Sequence, residues 1–245
     1  MNTFGLALTK IAGEPIEQRF KRRVADPIGL KNWDWGDYAT VDGVIVNGGS
    51  GNGDKHIFIT AREMARFGLL FLNHGRWNGR QLVPESWVAE ATRVQVPATM
   101  PWAQPESEID GRGVYGFNWW RNGVKPDGTR KLPAAPDGTF WASGHNNNKC
   151  FVIPEWDMVI VRLGLDGKAK DEVWNGFLAK VSESLKGTDD EQDKWERRTE
   201  HHQPSSVRSL LHQPTATRGE RVVASALPAR PRCGGSGAER TGDGW

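Results

Sequence analysis

Apolar residues recur at helical spacing twice at the start of the chain: Leu6, Leu8 and Ile11, then Ile16, Phe20 and Val24 beyond the breaker Gly13-Glu14-Pro15. This predicts two amphipathic helices, the second with Pro15 in its first turn and a stop at Asp26-Pro27-Ile28-Gly29. Residues 31–55 are rich in Gly, Asn, Asp and Trp and read as loops around one strand at 41–46. Thr60-Ala61-Arg62-Glu63 has the pattern of a capping box, in which a hydroxyl and a carboxylate satisfy the free N–H groups of a first helical turn. Met64, Phe67, Leu70 and Phe71 continue it at helical spacing as far as Asn73-His74-Gly75, and Pro84-Glu85-Ser86-Trp87-Val88 begins a shorter helix. Strand composition appears at 115–120 and 139–142. Cys150-Phe151-Val152-Ile153 and Met158-Val159-Ile160-Val161, joined by Pro154-Glu155-Trp156-Asp157, predict a hairpin. A stripe of Val173, Phe177, Leu178 and Val181 then predicts a helix that covers it.

After Gly187 the apolar period is lost and charged residues, then Pro, Ser, Arg, Ala and Gly, dominate. The chain therefore divides into a folded unit at 1–186 and a tail at 187–245 that reads as disordered. No lysine follows Lys194, which fits a misread end as well as a natural flexible tail.

With 245 residues, 37% of them hydrophobic, the chain can bury one sizeable core. Its 32 basic and 30 acidic residues leave a formal charge of +2, too small a field to select nucleic acid or an anionic membrane surface. The N-terminal apolar stretch is cut by Lys10 and Gly13, so neither a leader nor a membrane span is read there. The compartment stays open; a periplasmic or secreted location fits a leader lost with a missing N-terminus. Cys150 and Cys233 stand too far apart, in segments too unlike, for a disulfide framework or a metal set, and neither metal nor organic cofactor is expected. Cys150 opens an apolar strand and reads as packing. Gly48-Gly49-Ser50-Gly51-Asn52-Gly53 lacks the second glycine of a nucleophile elbow and the Lys-Ser/Thr end of a phosphate loop, so Ser50 reads as loop.

Three stretches together resemble the serine β-lactamase, penicillin-binding protein and esterase family: Asn2-Thr3-Phe4-Gly5-Leu6-Ala7-Leu8 running into Ala25-Asp26-Pro27-Ile28-Gly29-Leu30; Ile59-Thr60-Ala61-Arg62-Glu63-Met64-Ala65-Arg66-Phe67-Gly68-Leu69-Leu70 followed by Trp77-Asn78-Gly79-Arg80-Gln81-Leu82; and Tyr115-Gly116-Phe117-Asn118-Trp119-Trp120 followed by Ser143-Gly144-His145-Asn146-Asn147. The resemblance implies an α+β fold, an antiparallel sheet flanked by helices with a helical subdomain, truncated at its N-terminus and followed by the tail. It also implies acyl-enzyme hydrolysis of an ester, amide or β-lactam by a serine paired with a lysine one helical turn on.

None of the serines of this chain has a lysine three residues later, so the chain as written is expected to lack the nucleophile and to be catalytically silent. Asn2 matches the asparagine of the family's Tyr-x-Asn motif, whose tyrosine would fall before Met1. His145 matches the basic residue of the third motif, and Asn147 stands where that motif has glycine. The resemblance thus assigns His145 and Asn2 to the catalytic machinery and Asn146 and Asn147 to substrate binding, with a small acyl compound as the partner. A reading of another class stays beside it: a non-catalytic module whose tryptophan-rich pocket binds a carbohydrate or peptide.

Overall fold

A computed structural model describes residues 2–49, 55–102, 109–165, 167, 169–200 and 221–226, with the backbone alone for Asn2, 187–200 and 221–226. The chain begins with helix α1 (Asn2–Ala12) and helix α2 (Ile16–Phe20), for which Pro15 serves as N-cap. The second helix passes into a π-helical turn at Lys21–Ala25, so the single helix expected from Ile16, Phe20 and Val24 changes its hydrogen-bond spacing midway. Four short strands follow or flank the loops: β1 (Trp33–Trp35), β2 (Asp37–Val41), β3 (Val44–Asn47) and β4 (Ile57–Ile59). The one strand expected at 41–46 is in fact the tip of the β2–β3 hairpin. Asp42 and Gly43 both adopt positive φ, 53° and 78°, the geometry that lets a two-residue turn follow strand twist.

Helix α3 (Ala61–Leu72) bears out the capping signal, since the Thr60 hydroxyl accepts from the Glu63 N–H at 3.4 Å. The other half of the box is used differently. Glu63 is buried and turns its carboxylate to Arg66, at 3.6 Å, and to the Asn32 amide, while Thr60 N–H donates to the Asn32 carbonyl. The helix start is thereby joined to the Ile28–Asn32 segment, where Arg66 also donates to the Ile28 carbonyl. A two-stranded turn, β5 (Arg76–Trp77) with β6 (Arg80–Gln81), leads to α4 (Glu85–Thr92).

The central sheet contains β7 (Trp120–Arg121), β8 (Phe140–Gly144), β9 (Asn148–Ile153), β10 (Met158–Leu163) and, after helix α5 (Asp171–Glu200), β11 (Arg221–Ala226), in the order β11-β10-β9-β8-β7. Pairing from β7 to β10 is antiparallel, and β11 joins β10 in parallel. The strand expected over 115–120 is shorter, because Asn118 has φ of 59° and breaks the extended run; only Trp120 and Arg121 enter the ladder. Helix α5 runs past Gly187, where the folded part was expected to end, and of the tail at 187–245 only the helix end and β11 are described.

Residues alternate across β9 and β10. Cys150, Val152, Val159 and Val161 face α3 with Ala65, Phe71 and Trp119, while Phe151, Ile153, Met158 and Ile160 face α5 with Trp174 and Leu178. Burial of both faces explains why these strands are apolar without interruption. The stripe of α5 that meets the sheet is Trp174, Leu178, Val181 and Leu185; Val173 and Phe177, part of the expected stripe, lie on the exposed side. The indole at 174 offers more apolar area than the valine beside it, and this sets the rotation of the helix.

Candidate functional site at the β8–β9 turn

Strand β8 ends at Gly144, β9 starts at Asn148, and these two are paired in register, so three residues, His145, Asn146 and Asn147, make the reversal. Asn146 and Asn147 both adopt φ of 57°. Asparagine tolerates this left-handed region better than other residues with a side chain, which explains how the turn forms where the family motif has glycine. His145 precedes them and is exposed at the end of the sheet.

The turn is held from one side. Asn147 Nδ2 donates to the carbonyls of Gly167 (2.9 Å) and Ala169 (2.7 Å), in the connection after β10. Arg162 Nη1 donates to the Asn146 carbonyl, and Asn148 Oδ1 accepts from Gly164 N–H at 2.8 Å. The Asn147 amide is therefore engaged in tying two loops together, while its backbone closes the turn. Of the four residues assigned from sequence, His145, Asn146 and Asn147 share this turn. Asn2 opens α1, which packs on β3, and its side chain lies outside the described residues. Ser50 also lies outside them.

Sequence reasoning missed Lys149 beside the turn, and with it the partner of Ser143, which stands in the third family stretch. Ser143 and Lys149 are partners in the β8–β9 register, and Lys149 Nζ lies 2.7 Å from Ser143 Oγ. Ser143 is exposed, whereas Lys149 is only 9% exposed, with Nζ 5.9 Å from the Trp174 ring. Burial, which disfavours the ammonium form, pulls the Lys149 pKa down; Asp171 counters this and Lys131 adds to it. Asp171 is itself paired with Lys131 at 2.7 Å. Five residues separate the serine from the lysine, so no short motif marks them.

A second missed residue organises the loop that leads into β8. Asn122 is buried, and its amide donates to the carbonyls of Leu132, Ala135 and Pro136 at 3.0 to 3.1 Å while its oxygen accepts from Leu132 N–H at 2.8 Å. Cys150, 1% exposed, has its thiol pushed up to about 12 by burial and takes no part in the site.

The Beta-lactamase family model matches residues 1–176. An uncharacterised protein of Alkalihalophilus pseudofirmus is 27% identical over 114 residues, which is 46% of this chain and 32% of that protein. A solved structure titled "Putative 6-aminohexanoate-dimer hydrolase from Bacillus anthracis" superposes with a TM-score of 0.51 at 19% identity, over 76% of this chain and 42% of the other. The chain thus spans about a third of the length of the curated relative and less than half of the structural neighbour. The neighbour shares the fold, and the family match runs from α1 into α5: the chain belongs to the β-lactamase family.

Proposed function

We propose that this chain is the C-terminal part of a serine acyl-transfer hydrolase, in which the β8–β9 turn presents His145 and the adjoining backbone to the acyl group of an ester, amide or β-lactam. The observation that carries this reading is the turn itself: an exposed histidine at the sheet end, on a reversal braced by Asn147 and Arg162. A braced donor can be directed at the oxygen on which charge develops during acyl transfer. Asn146 lies in the same turn and is assigned to substrate contact, Asn147 to holding the turn, and Asn2 to the wall on the side of α1. The attacking serine and its lysine base are assigned to sequence outside these 245 residues, since none of the serines here is followed by lysine at the third position.

The test compares this chain with a longer protein that includes the upstream-encoded Ser-x-x-Lys, using sustained hydrolysis of 4-nitrophenyl esters. The longer protein is expected to turn over and this chain is not. His145→Ala in the longer protein is expected to lower kcat about 100-fold to 1000-fold, the loss of one polarising donor. Unchanged kcat in that variant would remove His145 from the machinery, and no turnover by the longer protein would favour the non-catalytic binding module.

A further inference from the structure

Apart from the His145 turn, the structure brings together one nucleophile and one base whose pairing no short motif announces. We propose that Ser143 and Lys149 form a serine–lysine pair on the α5 side of the sheet, which accepts an acyl or phosphonyl group on Ser143 Oγ.

Three features of the structure support it. First, the atoms are in contact: Oγ and Nζ lie 2.7 Å apart on neighbouring strands held in register by the whole β8–β9 ladder. A pair on two strands of a five-stranded sheet loses little freedom when it forms, unlike two long side chains on a surface. Second, access is divided in the manner a nucleophile needs, since the hydroxyl side is open and the amine side is closed. Ser143 is exposed, and Lys149 lies behind it, with Nζ toward the indole face of Trp174. Third, the α5 carboxylate Asp171 is held by Lys131 at 2.7 Å, and the hydrogen-bond partner of Lys149 Nζ among the described residues is the serine. A buried ammonium left with one hydroxyl partner is poorly solvated, which favours the neutral amine, the form able to accept a proton. Alternation along the strands agrees with this placement: Ser143 is two residues from Trp141 and Lys149 two from Phe151, and both aromatic residues pack toward α5.

The step balances without a co-reactant. Ser143 Oγ attacks the carbonyl carbon of an aryl ester as its hydroxyl proton moves to the neutral Nζ. The Oγ–C bond forms, the bond from carbon to the aryl oxygen breaks, and phenolate leaves; Ser143 ends as an ester and Lys149 as an ammonium. With a fluorophosphonate the same attack falls on phosphorus and fluoride leaves. The proposal covers this transfer and not its reversal by water, so one group per chain is the expected yield.

The experiment treats the purified 245-residue chain with a fluorophosphonate and, separately, with 4-nitrophenyl acetate, followed by intact mass and peptide mapping. One adduct on the peptide containing Ser143 is expected. Ser143→Ala is expected to remove it, and Lys149→Met to slow it about 100-fold, the scale of a lost general base, with the circular dichroism spectrum unchanged. An adduct on another serine, no adduct on the intact chain, or labelling of the Lys149→Met chain at the original rate would each overturn the assignment. Should Lys149→Met fail to fold, Lys149→Arg serves instead, since it keeps a long cation but cannot lose a proton at working pH, and it too must slow the reaction. These readouts use neither His145 nor a longer protein, so their failure is separate from any failure of the hydrolase reading.

Discussion

Lys149 illustrates how one side chain couples site chemistry to stability. Its pKa in the folded chain lies below the ordinary 10.5, because burial favours the neutral amine. Between the folded value and 10.5 the unfolded chain therefore binds more protons, and stability must rise with pH through that window. Replacement by methionine removes both the titration and the buried charge. The urea midpoint of the wild-type chain is accordingly expected to gain on that of Lys149→Met as pH increases from 7 toward 10. Parallel curves for the two proteins would show that the lysine is as well solvated folded as unfolded. Neighbouring Cys150 obeys the same rule with the opposite sign: burial opposes its thiolate and pushes the thiol up to about 12, which is why a cysteine one residue from the base is a packing residue and no rival nucleophile.

At the scale of elements, the contact that sets the position of α3 on the sheet is at Gly68. A Cβ there would come within 2.7 Å of Val159 and 2.8 Å of the Cys150 sulfur. Neither partner is at the far end of a flexible chain, so Gly68→Ala is expected to push the helix off the sheet. Its cost should be about 1–3 kcal/mol as overpacking, despite the better helix propensity of alanine, and a denaturation midpoint at or above the wild-type value would refute it. Gly68 was legible in the sequence only as a residue of an apolar helix; the need for glycine arises from β9 and β10, which are far away along the chain. The same distinction explains what could be read in advance. The α3 start and the β9–β10 hairpin depend on local chemistry, a hydroxyl cap and a proline turn, and the chain states them directly. The split of the 41–46 strand was also local, carried by Asp42-Gly43, and was outweighed by the apolar run around it. The rotation of α5 and the Ser143–Lys149 pair were not legible, because each depends on a partner in another element: helix side chains must choose between two apolar stripes, and cross-strand neighbours exist only once register is set.

For the molecule as a whole, the β10 side of the central sheet depends on the far end of the chain. Helices α3 and α5 cover its faces, but β10 is bordered by β11, which enters in parallel after α5. Without β11, alternate residues of Met158–Leu163 would present unpaired N–H and C=O groups, on a strand whose first four residues are buried. An edge of this composition pairs readily with another chain. The segment that reads as a polar tail is thus assigned a structural task by its pairing, although it was too isolated among Pro, Ser and Gly to be picked out as a strand. Proline at both Val222 and Val223 tests this. In a parallel ladder alternate residues direct their N–H groups to the neighbour, so whichever of the two faces β10 loses its donor. The doubly substituted chain is expected to gain a dimer or larger species by light scattering at concentrations where the wild-type chain has none, and to increase thioflavin binding. If it keeps the wild-type mass and melting curve, β10 is protected by some other means and the tail is dispensable to the sheet.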